Sequence, residues 1–247
     1  MIIFGYLNFK NYGDEILYRE VIKLYPDHSF DKLSKKNSLK EHLDILSRNK
    51  ELVAIGGLFQ DKSSFFSCFY YAAVILIAKF MKIKIIMKAN GIGPLKNPIS
   101  LFLTYIAYKT ADEVSVRDNY SAEFLLKWKI PHSVEKDLVY NIKEMKAVDL
   151  DLEESVFVIP RGFMALEEEK TTFIVFSPED RKHAENLLWD DEKILDANDF
   201  EPEELIYLMH KYASSVVSMR YHGLVLADIA GVHYEPYGDD PKIVNFH

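Results

Sequence analysis

Several short stretches of the 247-residue chain hold side chains that move protons or bind anions. The most informative is Ser218-Met219-Arg220-Tyr221-His222-Gly223, set between an apolar strand pattern and an apolar helix pattern. Its spacing puts Arg220 and His222 near a helix start, where free backbone N–H groups stabilise anions. The other seven histidines have no such setting. Arg117 and Asp118 follow the strand pattern Glu113–Val116. They read either as a carboxylate or oxyanion clamp at a strand end or as a surface ion pair worth little. Arg161 follows the strand pattern Val156–Ile159, and Lys242 sits in Asp240-Pro241-Lys242, either reaching the same site or standing in solvent. Asp137 reads as a turn residue, and Glu167-Glu168-Glu169 as a solvated face.

Glycine-bearing loops accompany these residues. Gly5-Tyr6-Leu7-Asn8-Phe9-Lys10-Asn11-Tyr12-Gly13-Asp14-Glu15 lacks the spacing of a dinucleotide fingerprint and contains no Walker lysine. Gly13 allows a tight entry into a helix, and Asp14 reads as its N-cap or as an acid/base group. Gly56-Gly57-Leu58-Phe59-Gln60-Asp61 and Asn90-Gly91-Ile92-Gly93-Pro94-Leu95 allow close approach of a ligand or of a second backbone.

The elements that must position these loops alternate as strand, loop and helix, the pattern of an α/β chain with parallel sheets. Strands are expected at Ile2–Gly5, Leu52–Ile55, Ile83–Lys88, Glu113–Val116, Val156–Ile159, Phe173–Phe176, Glu192–Leu195, Val216–Met219 and Val232–Tyr234. Helical patterns run over Glu15–Leu24, Phe65–Ala78, from Pro98 to Lys109, and over Ser121–Trp128, Pro178–Leu188, Pro202–Tyr212 and His222–Ala230. The charged segment from Asn141 to Glu154 reads as a linker, dividing the chain into domains at 1–145 and 150–247 that face each other across a cleft. Ligands of such sheets sit at the carboxyl ends of the strands, where these loops lie.

Composition narrows the function classes. With 30 Lys+Arg against 38 Asp+Glu the formal net charge is −8, which argues against non-specific nucleic-acid binding. Cys68 is the single cysteine, so neither an internal disulfide nor a cysteine-based zinc site is expected, and no metal is implied. The N-terminus shows no secretory leader. The apolar run at 65–78 is too short to span a bilayer, which takes ~20 residues. It reads as a buried helix, with peripheral membrane contact as the lesser alternative. Cations at several strand ends beside one histidine suggest a small, highly charged anion such as one carrying a phosphate and a carboxylate.

The ordered set Gly5 to Leu17, Gly56 to Asp61, Asn90 to Leu95, Ser115 to Asp118, Ser218 to Ala227 and Asp240 to Lys242 resembles the polysaccharide pyruvyl transferase family, of the CsaB type. The resemblance implies two Rossmann-like domains of GT-B-like architecture, here with a compact C-terminal end. It implies acceptor binding and part of the donor site in the N-terminal domain, with the donor side in the C-terminal one. The implied reaction transfers the enolpyruvyl unit of phosphoenolpyruvate to a sugar, of N-acetylmannosamine type, in a cell-wall polysaccharide precursor. A pyruvate ketal forms and phosphate is released; phosphoenolpyruvate is the donor substrate and no further cofactor is implied. The resemblance gives acid/base work to His222 and Asp14 and donor binding to Arg117 and Lys242. Arg220, Arg161, Gly56, Gly57 and Asn11 are the further candidate substrate-binding residues. The expected partner is a sugar or lipid-linked saccharide, and the expected location is the cytoplasm, at the inner face of the membrane. A nucleotide-sugar glycosyltransferase, or a non-catalytic module binding an anionic metabolite or glycan, is the competing reading.

Overall fold

The computed structural model describes residues 1–61, 65–162, 164, 170–187 and 193–246. The glutamate run 167–169 and the expected element ends at Leu188 and Glu192 lie outside the described residues. The chain divides into two compact units, Met1–Asn8 with Leu17–Leu138, and Phe9–Ile16 with Val139–His247.

The first unit is built on a six-stranded sheet of order β2-β1-β3-β4-β5-β6, and every recorded pairing is parallel. Its strands are β1 (Ile2–Phe4), β2 (Asp31–Leu33), β3 (Glu51–Ile55), β4 (Lys84–Asn90), β5 (Glu113–Val116) and β6 (Ser133–Val134). The central strands β1, β3 and β4 are near-continuous apolar runs because helices cover both faces of a parallel sheet. Between the strands run α2 (Leu39–Arg48), α3 (Phe65–Phe80), α4 (Pro98–Thr110) and α5 (Asn119–Lys127). Phe4, Ala54, Tyr71, Ile75, Met87, Tyr108 and Leu125 pack in its core.

Two elements here were not expected from periodicity. Strand β2 is Asp-Lys-Leu, too polar and short to register, and it pairs with β1 at the sheet edge. Helix α2 follows it with a reciprocal cap: Glu41 N donates to Ser38 Oγ, and Ser38 N donates to Glu41 Oε2.

The second unit carries a five-stranded sheet of order β11-β10-β7-β8-β9, again with every recorded pairing parallel. Its strands are β7 (Ser155–Ile159), β8 (Thr171–Val175), β9 (Lys193–Asp196), β10 (Ala213–Ser218) and β11 (Tyr234–Pro236). Its helices are α6 (Pro178–Glu185), α7 (Pro202–Tyr212), α8 (Tyr221–Ala230) and α9 (Pro241–Val244). The segment Phe9–Ile16, which includes the first turn of α1 (Tyr12–Leu24), clusters with this unit. Helix α8 ends at Gly231, whose positive φ of 69° suits a residue without a Cβ. No helix among the described residues is long and apolar enough to cross a membrane.

Candidate active site

In the second unit the carboxyl ends of β7, β10 and β11 are tied together by backbone. Met219 N donates to Ile159 O at 2.9 Å, and Tyr237 N donates to Ser218 O at 2.9 Å. Arg161 N meets Met219 Sδ at 3.3 Å. Helix α8 starts immediately after this junction, with Arg220 at the N-cap position and His222 in its first turn. Gly223 lets that turn approach the sheet, since a Cβ there would stand 2.6 Å from Ile159 Cδ1.

The Arg220 guanidinium is committed. Its Nε donates to Asp180 Oδ2 at 3.1 Å, and its Nη2 donates to Asp180 Oδ1 and, at 3.2 Å, to Ser177 Oγ. Asp180 is fully buried in the first turn of α6, which Ser177 caps through a bond from Asp180 N. A bidentate arginine–aspartate pair in this setting fixes the guanidinium plane. Arg161 has an exposed side chain overall. Local desolvation of its head group, and then the Arg220 charge, hold its pKa below the ordinary arginine value. Two cations thus share the end of this sheet. Lys242 is buried in α9, whose first turn is capped when Lys242 N donates to Asp240 Oδ1 at 3.1 Å. The solvent-exposed alternative for this lysine is therefore corrected.

The segment Phe9–Ile16 is fixed in this unit through Tyr12. Tyr12 N donates to Phe176 O at 2.9 Å, its hydroxyl donates to Phe200 O at 3.2 Å, and its ring packs edge-on to Phe176 at 5.2 Å. Gly13 consequently lies against the His222 imidazole: a Cβ at Gly13 would be 2.8 Å from His222 Cγ. Asp14 follows directly. It is not the cap of α1, because the helix starts at Tyr12 and the carbonyl of Asn11 accepts from Asp14 N and Glu15 N, both at 3.1 Å. Asn11, Gly13, Asp14, Arg161, Arg220, His222 and Lys242 all belong to this unit.

Behind the start of α8 sits an aromatic clamp that sequence reading missed. Phe246 packs on Tyr221 at 5.4 Å and on Tyr234 at 5.5 Å. Tyr140 OH donates to Asp228 Oδ2 at 2.7 Å; burial and then that carboxylate push its phenol up. Asp180 and Ser177 were missed too. The spacing Ser177-x-x-Asp180 announces a helix cap but not the arginine that shares it.

In the first unit, Arg117 follows β5 directly and its Nη1 donates to Asp137 Oδ2 at 2.8 Å, with both side chains buried. Two expectations change here. The partner of Arg117 is Asp137, expected only to turn the chain, and the pair is a buried one rather than an exposed Arg117–Asp118 contact. Asp118 instead caps α5, accepting from Ser121 N at 2.6 Å, with Arg117 Nε 3.9 Å away. Gly56, at a positive φ of 81°, is held by Asn90, whose Nδ2 donates to Ala54 O at 3.1 Å and Gly56 O at 3.0 Å. Gly91 N also donates to Gly56 O. Gly56 therefore serves a backbone tie between the chain after β3 and the end of β4. Among the described residues no group of three or more His, Cys, Asp or Glu is arranged to hold a metal ion.

A family model described as polysaccharide pyruvyl transferase matches residues 11–233. A search of curated proteins finds no match. Among solved structures, UDP-GlcNAc 2-epimerase from Rickettsia bellii is similar at a TM-score of 0.60 and 13% identity, covering 97% of this chain and 79% of that one. UDP-GlcNAc 2-epimerase from Methanocaldococcus jannaschii is similar at a TM-score of 0.57 and 12% identity, covering 94% and 82%. At such identities the likeness is one of fold: two parallel-sheet α/β domains of GT-B-like type.

Proposed function

The chain belongs to the polysaccharide pyruvyl transferase family, and from that membership we propose that it transfers the pyruvyl unit of phosphoenolpyruvate to a saccharide diol. The acceptor in this reading is an N-acetylmannosamine-type sugar of a cell-wall polysaccharide precursor, as in the CsaB type, used at the cytoplasmic face of the membrane. The observation that carries the proposal is that Arg161 and Arg220 follow the neighbouring strands β7 and β10, with Arg161 N against Met219 Sδ, beside the His222-bearing start of α8. Cations held together at a helix N-terminus are stabilised when a dianion or trianion binds.

In the proposed reaction one sugar hydroxyl attacks C2 of phosphoenolpyruvate while C3 takes up a proton. The C2–O bond to phosphate then breaks, and the second hydroxyl closes the ketal. The two hydroxyl protons are balanced by the one gained at C3 and the one leaving with phosphate. His222 and Asp14 are the groups proposed to carry these protons. Lys242, Arg161 and Arg220 bind the donor's carboxylate and phosphate and stabilise charge on the departing phosphate. Asp180 orients Arg220 for that work. Arg117, Asn11, Gly56 and Gly57 are proposed as further substrate-binding residues.

A nucleotide-sugar reaction is the second reading, favoured by the UDP-GlcNAc 2-epimerases among the fold neighbours. The test is to supply phosphoenolpyruvate with saccharides ending in N-acetylmannosamine and to follow phosphate release and the product's methyl proton signal together. Phosphate released in equal amount with a new ketal methyl is the expected result. Consumption of a UDP-sugar with phosphoenolpyruvate untouched would replace the proposal by the second reading.

A further inference from the structure

Helices α3 and α4 of the first unit pack on each other and present an apolar surface that the fold leaves uncovered. Along α3 the residues Cys68, Ala72, Ile75 and Ala78 face the core. Phe66, Phe69, Leu76, Ile77 and Phe80 recur at helical spacing on the other face and are exposed, Phe66 at 76% and Phe80 at 89%. Helix α4 buries Ser100 and Thr104 beside Ala107 and Tyr108, with Thr104 Oγ1 donating to Ser100 O, and exposes Ile99 and Phe102. An outward face that carries four exposed phenylalanines beside Leu76, Ile77 and Ile99 is arranged for a medium other than water.

Charge identifies that medium. Residues 65–110 contain six lysines and neither Asp nor Glu, in a chain whose formal net charge is −8. Lys79, Lys84 and Lys88 pair with Asp112, Glu113 and Glu135. For Lys82, Lys96 and Lys109 no carboxylate partner occurs among the described residues. These three stand at the ends of the apolar face: Lys82 just past Phe80, Lys96 just before Ile99, and Lys109 closing α4. Long cationic side chains at the rim of an apolar face reach for an anionic interface while the aromatic groups enter the acyl boundary. A second copy of the same face would set like charges together, so a self-complementary dimer is disfavoured.

We propose that the α3–α4 face docks the protein on an anionic lipid bilayer as a peripheral contact. The inference stands on this face alone and is independent of the reaction assigned above.

Flotation with vesicles of phosphatidylcholine, or of phosphatidylcholine and phosphatidylglycerol in equal parts, tests it. Wild type should float with the phosphatidylglycerol vesicles and much less with phosphatidylcholine alone, and the binding should weaken as salt is added. The double variant Phe80→Asp, Phe102→Asp should partition at least about tenfold more weakly. Lys82→Glu with Lys96→Glu should lose about fivefold for each lysine. Absence of binding to anionic vesicles, or binding indifferent to Phe80 and Phe102, would overturn the proposal. So would a dimer by light scattering that Phe80→Asp dissociates, since a second copy would then occupy the face.

Discussion

The imidazole of His222 fills the space in front of Gly13, where a side-chain carbon would stand 2.8 Å from its Cγ and 3.1 Å from its Cβ. The glycine is thus required by its neighbour, not by its own backbone, since it lies in the first turn of α1. Gly13→Ala improves helix propensity by ~1 kcal/mol, yet it must push the ring aside. The expected outcome is a loss of turnover on the order of 100-fold, as a displaced catalytic group costs, with little fall in melting temperature. Steady-state kinetics beside a thermal melt check this; an unchanged kcat would remove His222 from the proposed proton transfer.

The buried Asp180 and the part-buried Arg220 form a pair whose partners are not interchangeable with alanine. Asp180→Ala leaves the guanidinium without its buried carboxylate, and the expected loss is about 3–5 kcal/mol of stability. A urea titration reads it as a lowered midpoint. A shift of under about 0.5 kcal/mol would mean the pair is already solvated.

Arg117 and Asp137 make the corresponding buried pair in the first unit. Arg117→Ala should cost about 3–5 kcal/mol, because Asp137 is left charged and buried. Replacing both by leucine should recover most of that stability, while activity stays lost if Arg117 binds the donor. Measuring melt and kcat/KM on the single and double variants separates the two roles. A double variant as unstable as the single one would show that the pair itself is needed for folding.

Acid sensitivity has one well-defined contributor at the edge of the first sheet. The Arg48 guanidinium bonded to Asp31, with help from Asn49 Nδ2 at 2.7 Å, holds the Asp31 carboxyl below the ordinary aspartate range. Its folded pKa is depressed, so its contribution is fully present above the unfolded value near pH ~4 and fades as pH falls through the folded one. Wild type should exceed Asp31→Asn in urea midpoint at pH ~6, and the two should converge below pH ~3. A gap that persists at the lowest pH would mean the loss is one of packing.

The parallel α/β alternation was legible because buried strands such as β3 and β8 are continuous apolar runs closed by polar loops. Strand β2 and helix α9 were not, since three or four residues hold too little periodicity to register. Helix α2 carried a readable signal in Ser38-x-x-Glu41 that hydrophobic spacing alone passes over. At the candidate site the residue types were legible, but not their pairing. Arg117 with Asp137, and Arg220 with Asp180, are 20 and 40 positions apart, and only the strand order brings each pair together. The ring of His222 against Gly13 likewise depends on Tyr12 fastening the segment to the loop after β8.

Thermal shift, which needs no acceptor, reads a phosphoenolpyruvate site among Arg161, Arg220 and Lys242. The ligands are phosphoenolpyruvate, phosphate, pyruvate, a UDP-sugar and a GDP-sugar, on wild type, Arg161→Ala and Lys242→Ala. A ligand at ~100 times its dissociation constant adds ~2.7 kcal/mol, a rise of roughly 5–10 °C for a chain of this size. That rise is expected with phosphoenolpyruvate, and its loss in both variants. A rise with the nucleotide sugars alone would contradict it.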